Sequence, residues 1–458
     1  MAEGAPSEAP SPPSRPAEAG AARDSGASDG GGSRSVGLLG AVAIGIGGMV
    51  GGGIFAVLGV AAAEARGATP IAFAVAGAVA ALTAASYSRL STRFQSAGGT
   101  VTFVDRAFGI SNLTGALNIV LWAGYIATTA LYVSAFANYA ATFAPGGGRP
   151  GPLLLRVLVL VGVLIPWVIN LTSARLVAKS ESYIVVTKLA ILAVVIAAGT
   201  PSLSSARLAP ATTWPPLASV LAAGMLIFVA YEGFELIANA SADIRRPERN
   251  LPLAFGLSVG LVLALYVAIA AVVVGSLSPE RIAADADVAL AVAAGASLGH
   301  AGFTLVAISA LLATLSATNA TLYGAARLSF TLATEGELTL AFERKEWNQP
   351  IGLHVTALVG LALAIGLPLT SLSTVCSAIF LLVFAVVNAA AFRSATTTGG
   401  GRWVPGLGVL GCAGSLVALL QRSVARDPVG LIVLAALIAS ALATEHFVLR
   451  RRRRAGSS

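Results

Sequence analysis

The chain has 458 residues, of which 56 % are hydrophobic and only 11 % are charged, and its mean hydropathy is +0.83. Soluble chains carry about 25 % charged residues, so this composition excludes a soluble globule, a disordered chain and a coiled coil. The net charge of +8 would suggest nucleic acid as the partner of a soluble protein, but in a membrane protein it reflects topology, and no nucleic acid is expected. Two cysteines and three scattered histidines indicate neither a disulfide framework nor a metal site or catalytic triad.

Residues 1–36 are rich in Ala, Gly, Ser and Pro and contain no apolar run, which predicts a disordered cytoplasmic tail and no signal peptide. A predicted transporter domain over 37–449 follows, in which apolar runs are long enough to cross a bilayer of roughly 30 Å. The twelve runs cover 37–62, 69–90, 110–143, 153–171, 181–199, 216–240, 251–276, 300–333, 352–368, 371–392, 403–420 and 428–449. This pattern predicts an all-α polytopic membrane protein with about 12 transmembrane helices, since a barrel would show short alternating strands.

The basic residues divide unevenly between the two sides of such a membrane protein. With the N-terminus inside, 21 of the 29 Lys and Arg residues fall in cytoplasmic segments and seven fall outside. The positive-inside rule therefore predicts a multi-pass protein of the cell membrane with both termini in the cytoplasm. Residues 450–458 form a basic cytoplasmic tail, in which Arg450–Arg454 could contact anionic lipid of the bilayer.

Two of the runs are interrupted by residues that disfavour a helix. The first has five glycines between Gly47 and Gly53, and the sixth places Glu232, Gly233 and Glu235 within the membrane. Close packing of small residues is one explanation for the glycines, but three in a row favour an unwound segment. Breaks in matching positions of two halves predict an inverted repeat with a midplane site. The repeats would be 37–200 and 216–392, with two helices over 403–449 appended and helices 1 and 6 broken at mid-membrane.

An unwound helix exposes backbone groups that can bind a zwitterion. The amides of Gly51, Gly52 and Gly53 would hold a carboxylate, and the carbonyls from Phe228 to Tyr231 would hold an ammonium group. Irregular backbone at this depth occurs only where it lines a protein cavity. Gly233 would leave room for the substrate to approach.

Lys188 is the single charge in the stretch of the fifth run from Tyr183 to Ile196, one to two turns into the helix. Charges inside a membrane are costly and are usually functional, although a lysine this near the interface could also snorkel. A buried lysine can lose its proton near neutral pH. Lys188 is therefore a candidate proton carrier.

Other polar and aromatic side chains of the runs are candidates for secondary roles. Glu232 and Glu235 could be second titrating groups or gate residues, or carboxyl groups satisfied by a local partner. Trp122 and Tyr125, with Phe228 and Tyr231, could line or gate the cavity, or simply pack between helices. The eighth run is dense in hydroxyls that often bond to their own helix, but Ser316 could face Lys188 if helices 5 and 8 are neighbours.

Three motifs resemble those of the amino acid–polyamine–organocation permeases, a resemblance that covers roughly 35–450. They are the glycine-rich Gly47–Phe55, the segment Tyr231–Pro252 with its ending Arg-Pro-Glu-Arg-Asn-Leu-Pro, and the Ala-Gly-Gly-Thr of 97–100. The resemblance implies the LeuT-like five-plus-five inverted repeat. Within the superfamily, Val186-Thr-Lys-Leu189, among other segments, is similar to archaeal proton-coupled amino-acid transporters of broad specificity. That similarity implies that Lys188 replaces a sodium ion, near the carbonyl of Gly47 and the hydroxyl of Ser316.

These observations together predict proton-coupled symport of neutral or broad-range amino acids by alternating access, with no cofactor and no sodium. Glu232 departs from the family pattern, which has an apolar residue there, and it could favour a cationic substrate or add a proton site. An amino-acid or polyamine exchanger of the same superfamily is the alternative. A non-transporting amino-acid sensor is a third possibility, and an enzyme is not expected. The sequence leaves the oligomeric state open.

Overall fold

A computed structural model of the protein describes residues 34–96, 98–109, 111–145, 151–172, 174–209 and 214–455, without the side chains of 174–182, 340 and 447–455. The predicted disordered tail lies outside the described residues, apart from its last three positions. The backbone of Arg450–Arg454 belongs to the last helix, but the predicted lipid contact of these side chains lies outside the described part.

The regular secondary structure of the described chain is helical, apart from one pair of two-residue strands and an isolated bridge between Val36 and Ile244. Its α-helices are α1 Leu38–Met49, α2 Gly53–Ala65, α3 Thr69–Arg93, α4 Gly99–Phe108, α5 Asn112–Ala141, α6 Pro152–Thr172, α7 Ala174–Gly199, α8 Ser205–Leu208, α9 Leu217–Leu226, α10 Leu236–Asn239, α11 Pro247–Ser276, α12 Pro279–Ala284, α13 Ala289–Thr334, α14 Ile351–Gly366, α15 Leu369–Arg393, α16 Ala395–Thr398, α17 Trp403–Arg426 and α18 Pro428–Ala455. Short 3₁₀ segments are Arg66–Ala68, Thr200–Ser202, Ile227–Tyr231, Ser241–Asp243, Ala286–Val288 and Leu340–Glu343. The antiparallel strands are β1 Lys345–Glu346 and β2 Gln349–Pro350.

Ten helical stretches of the described chain are long and apolar enough to cross a membrane, and α1 and α14 are shorter apolar helices. One stretch, Gly53–Arg93, joins α2 to α3 through the 3₁₀ turn that begins at Arg66. Arg66 has φ of +50°, which is uncommon for a side chain other than glycine and marks the change of direction between the two helices. The protein is thus an all-helical, multi-pass membrane protein.

The eighth predicted run differs from the structure at its N-terminal end. The sequence predicts a helix over 300–333, whereas α13 begins at Ala289 and carries a sharp kink at Gly299 (φ +66°, ψ −159°). This backbone conformation is open to glycine and strained for other residues. The prediction therefore began at the kink and missed the helical segment that precedes it.

Helix α5 lies at the centre of the bundle and is almost completely buried. It packs against α6, α13, α14, α15 and α18, while α3 packs against α11 and α7 against α13. Its chain of Ala, Thr, Ser and Gly residues lets the neighbouring helices approach closely, as is usual between membrane helices. Helices α6, α17 and α18 are mostly exposed and form the periphery.

Candidate functional site

The first predicted run is broken where its glycines cluster. Helix α1 ends at Met49, α2 begins at Gly53, and Val50, Gly51 and Gly52 lie between them with a non-helical conformation at Val50. All of these residues are buried. The break places the negative carbonyl end of α1 and the positive amide end of α2 at one point inside the protein.

The sixth predicted run is broken in the same manner. Helix α9 ends at Leu226 and tightens into the 3₁₀ segment Ile227–Tyr231, after which Glu232 is extended (φ −63°, ψ 145°). Gly233 follows with φ of +116°, a conformation that residues with a Cβ rarely adopt. The chain becomes helical again only at Leu236.

The two breaks are in direct contact with each other. A Cβ atom on Gly48 would lie 2.5 Å from the carbonyl oxygen of Gly233, and one on Gly53 would lie 2.9 Å from Cα of Ala230. These glycines allow two backbones to touch, while Gly51 and Gly52 form the break itself. The glycine cluster therefore serves both purposes considered from the sequence, unwinding and close packing.

Tyr266 of α11 links both breaks through its hydroxyl group. The hydroxyl lies 2.7 Å from the carbonyl oxygen of Met49 and 3.2 Å from that of Ala230. One hydroxyl group therefore bonds both to the last residue of α1 and to the 3₁₀ segment Ile227–Tyr231. The sequence analysis did not select Tyr266, although a hydroxyl within an apolar run is a signal of this kind of bond.

Two serines of α15 support the second break from the other side. The amide of Val229 donates to Ser377 Oγ at 3.0 Å, and Ser373 and Ser377 both donate to the carbonyl of Leu226, at 2.7 and 2.9 Å. These bonds satisfy backbone groups that the change from α-helix to 3₁₀ helix leaves without partners. The sequence analysis missed both serines, because nothing local distinguishes them from serines that bond to their own helix.

Glu232 faces the first break through Tyr132 of α5. The Tyr132 hydroxyl donates to Glu232 Oε2 at 3.2 Å, and its ring lies so close to Gly52 that a Cβ there would be 2.5 Å from a ring carbon. Glu232 is buried. A carboxyl group thus lies beside the predicted binding glycines, and Tyr132, which the sequence analysis did not select, connects them.

Glu235 is buried and folds back onto the break. Its Oε2 accepts the amide of Gly233 at 2.8 Å, so it stabilises the positive-φ conformation of this glycine. The carboxyl groups of Glu232 and Glu235 are near enough to interact with each other. Two acids therefore share one buried region at the second break.

Lys188 of α7 is directed into the protein. Its side chain is 3 % exposed, and Nζ lies 3.2 Å from the carbonyl oxygen of Gly47, in the last turn of α1. This contact differs from snorkelling, in which the amine would reach the interface. The negative end of α1 favours a positive charge at this position. Ser316 is half-buried on α13, which packs against α7. These two helices contain the eighth and the fifth predicted runs, so the runs are neighbours, as a contact between Ser316 and Lys188 would require.

The aromatic candidates occupy different surroundings. The Tyr231 hydroxyl donates to the carbonyl of Phe73 in α3 at 2.9 Å, so the Tyr231 side chain packs against α3. Phe228 packs against Phe384, and Tyr125 against Phe380, all within the core. Trp122 contacts α14 and the 3₁₀ segment Leu340–Glu343, because its Nε1 donates to Thr356 Oγ1 at 3.1 Å and its ring meets Phe342.

Some hydroxyls of the eighth run follow the simpler explanation. Thr314 and Thr318 donate to carbonyls one turn earlier, Ala310 at 2.7 Å and Thr314 at 2.8 Å. Such bonds satisfy the hydroxyl within its own helix. The density of hydroxyls in this run is therefore in part a local feature of α13.

The sequence has recognisable relatives. The family model described as amino acid permease matches residues 36–443. An uncharacterised protein of Methanocaldococcus jannaschii is 33 % identical over 356 residues, covering 77 % of this chain and 81 % of the relative. Inner membrane transport protein YbaT of Escherichia coli is 33 % identical over 365 residues, covering 79 % and 84 %.

A plant protein is a more distant relative. Cationic amino acid transporter 9, chloroplastic, of Arabidopsis thaliana is 29 % identical over 335 residues, covering 68 % of this chain and 57 % of the relative. The match to the family model covers most of the chain, and it includes both broken helices. The chain therefore belongs to the amino acid permease family of the amino acid–polyamine–organocation superfamily, and it is a membrane transporter rather than an enzyme.

Proposed function

We propose that the protein is a secondary active transporter that couples amino-acid uptake to proton entry by alternating access. It has twelve membrane spans in a LeuT-like five-plus-five inverted repeat. It lies in the cell (plasma) membrane, with both termini in the cytoplasm. The paired breaks in helices 1 and 6, the family membership and the division of basic residues support this architecture.

The contact between Lys188 and α1 is the observation that carries the proposal. A protonated amine 3.2 Å from the Gly47 carbonyl stabilises the break through its charge, much as a bound cation would. A neutral amine makes a weaker contact and leaves α1 free to move. Proton gain and loss at Lys188 thereby bias the position of α1, and transport uses that bias. One charge that crosses 100 mV supplies about 2.3 kcal/mol, enough for roughly fifty-fold accumulation.

The substrate site lies at the two breaks. The amides of Gly51, Gly52 and Gly53, at the positive end of α2, receive the substrate carboxylate. Carbonyls of the segment Phe228–Tyr231 receive its amino group. The Val229 carbonyl already accepts the amide of Glu232, and the Ala230 carbonyl accepts Tyr266, so the substrate shares or replaces these bonds.

A cationic amino acid or a polyamine is the second candidate substrate, and Glu232 is the observation that favours it. The carboxyl group is buried and bonded to Tyr132, whose ring packs against Gly52, and it takes part in none of the ion pairs among the described side chains. A buried carboxylate is costly without a positive partner, which a substrate amine would provide. The plant relative is named as a cationic amino acid transporter, which agrees with this candidate.

Proteoliposome uptake tests the proposed function. Radiolabelled amino-acid uptake is measured with an inward proton gradient in sodium-free buffer, with a sodium gradient alone, and with neither. We expect accumulation with the proton gradient alone. Accumulation that requires sodium would contradict proton coupling, whereas substrate binding with no flux under any condition would identify a sensor instead.

Competition between substrates separates the two substrate classes. Unlabelled alanine, leucine, arginine and putrescine are added in turn to the wild type and to the Glu232→Gln variant, with the exposed Glu346→Gln as control. If Glu232 meets a substrate cation, Glu232→Gln weakens competition by arginine or putrescine and leaves that of alanine unchanged. Equal effects on all four compounds would remove the cationic candidate.

A further inference from the structure

A groove between α3 and α11 on the membrane face of the protein is polar at one end and apolar along the rest of its length. We propose that the groove between α3 and α11 binds one anionic phospholipid of the cytoplasmic leaflet, with its phosphate at Arg89 and one acyl chain along α11. The assignment of the leaflet rests on the orientation given under the proposed function. The binding itself does not depend on which substrate is transported.

The groove has a volume of about 480 Å³ and is mostly apolar. It is lined on α3 by Ala81, Ala84, Ala85, Ser88 and Arg89, and on α11 by Pro252, Phe255, Gly256, Val259, Gly260 and Leu263. Polar groups lie at one end only, that of Ser88 and Arg89. The walls thus change from polar to apolar along the groove, as a phospholipid does.

The length of the groove matches one acyl chain in one leaflet. Pro252 and Leu263 are eleven residues apart, which is about 16 Å along a helix and half of a hydrocarbon core of roughly 30 Å. A Cβ added at Gly256 or Gly260 would meet no atom within 4 Å, so the floor of the groove is open. Leu257 and Leu261 beside it are 45 % and 55 % exposed, which is expected of a surface that faces lipid.

The charge at the polar end favours an anionic headgroup. One guanidinium nitrogen of Arg89 donates to the Gly401 carbonyl at 2.8 Å, which fixes the side chain at this end. Arginine has five N–H donors, so others can bind phosphate oxygens in the paired geometry that arginine prefers. Arg93 follows on α3, and three further arginines, Arg245, Arg246 and Arg249, precede or begin α11, with the acids Asp243 and Glu248 among them. The excess is positive.

The inner end of the groove approaches the second break. A Cβ on Gly77 would lie 2.3 Å from Leu263 Cδ1 and 2.9 Å from the Tyr231 hydroxyl, so Leu263 and Tyr231 meet at the same glycine. Leu263 lines the groove, and Tyr231 ends the 3₁₀ segment of helix 6. A bound acyl chain therefore packs one side chain away from the break and would stabilise its present conformation.

Photo-crosslinking in proteoliposomes tests the site. The probe is phosphatidylglycerol with a diazirine in one acyl chain, at a few per cent in phosphatidylcholine vesicles, and crosslinked peptides are identified by mass spectrometry. We expect crosslinks within 81–89 and 252–263. Arg89→Gln should lower their yield about fivefold, the effect of one arginine contact at a membrane surface, and Gly256→Leu should abolish them by filling the groove.

Matched variants control for fold and general lipid contact. Arg344→Gln removes an exposed loop arginine, and Gly414→Leu adds the same side chain to an open, exposed glycine of α17, so both should leave the yield unchanged. Equal crosslinking by a phosphatidylcholine probe, or no response to Arg89→Gln and Gly256→Leu, would overturn the proposal. Crosslinks between two copies of the protein through this groove would assign it to a protein interface and overturn it as well.

Discussion

Tyrosine hydroxyls hold the interrupted helices in register at the level of single residues. Tyr266 bonds to carbonyls of both breaks, and Tyr132 joins the second break to the glycines of the first. Each hydroxyl donates a hydrogen bond to a backbone or carboxyl oxygen, which the hydrocarbon region of a membrane could not provide. The breaks are therefore conformations that side chains of α5 and α11 stabilise, and glycine alone does not explain them.

The variant Tyr266→Phe tests this role at the residue scale. It removes one hydroxyl and leaves the carbonyls of Met49 and Ala230 without that donor, which should cost about 1 to 3 kcal/mol of stability. We expect a lower melting temperature in detergent and slower transport. Tyr183→Phe, at a position 79 % exposed, is the control and should change neither. A Tyr266→Phe protein with wild-type melting and transport would show that the bridge is unimportant.

Gly233 has the strictest requirement of any residue in the breaks. With φ of +116° and a Cβ position 2.4 Å from the Gly48 carbonyl carbon, alanine would be strained and would clash with backbone. We expect Gly233→Ala to abolish transport and to lower the folded yield. Gly324→Ala on α13 adds a methyl group to open space within a helix and should be neutral or slightly stabilising. Normal uptake by Gly233→Ala would contradict the assigned break.

At the scale of elements, an ion pair ties α2 to α17. Arg422 lies 2.6 Å from Glu64, and both side chains are more than 90 % buried, whereas Arg426 contacts the same acid at 3.2 Å with 58 % of its side chain exposed. The two arginines therefore offer one acid a buried and an exposed partner. This geometry links α2, which follows the first break, to the periphery of the bundle.

Removal of the buried partner should be far more harmful than removal of the exposed one. Arg422→Gln leaves the Glu64 charge buried with a weak partner and should cost about 3 to 5 kcal/mol, while Arg426→Gln should cost at most about 1 kcal/mol. Thermal unfolding of the two variants in one detergent measures the difference. Similar melting temperatures for both would mean that water reaches Glu64.

Three acids meet where α4, α5 and the segment after α13 come together. Asp105, Glu335 and Glu337 place carboxylate oxygens within 4.8 Å of one another, and Asn118 Nδ2 donates to both oxygens of Glu337, at 3.2 and 3.0 Å. Burial raises the pKa of Glu337 to about 7. The nearby acids also raise this pKa, whereas the hydrogen bond from Asn118 lowers it. Burial also raises the pKa values of Asp105 and Glu335.

This shift makes stability depend on pH. Between pH 4.5, the ordinary pKa of the group, and about 7, the folded protein holds a proton on Glu337 that the unfolded chain lacks. Stability is therefore full below this window and falls as pH rises through it. We expect the melting temperature to fall from pH 5 to 7.5 in the wild type, and to fall less in Glu337→Gln. The exposed Glu343→Gln should keep the wild-type slope, and an unchanged slope in Glu337→Gln would exclude this assignment.

For the whole molecule, the sequence predicts the helical membrane fold and the two breaks, because apolar length and glycine clusters are local signals. It does not predict that the helix continues on the N-terminal side of the kink at Gly299, because the predicted run begins at 300. Tyr132, Tyr266, Ser373 and Ser377 were missed because their partners are far away in the chain and depend on how the helices rotate and pack.

Lys188 was selected from the sequence because an isolated charge in an apolar run is conspicuous. The family resemblance led us to expect its contact with the Gly47 carbonyl, and the structure contains that contact. The role of Lys188 in coupling remains a prediction. Glu232 was selected for the same reason as Lys188, but its link to Gly52 through Tyr132 required the structure.

The most direct test of the account compares two transport modes in the Lys188→Ala variant. Proteoliposomes are assayed for accumulation driven by an inward proton gradient, and separately for counterflow of labelled substrate without a gradient, with the exposed Lys345→Ala as control. The account predicts that Lys188→Ala loses gradient-driven accumulation and keeps counterflow, while Lys345→Ala keeps both. Gradient-driven accumulation by Lys188→Ala at the wild-type level would contradict proton coupling through this lysine.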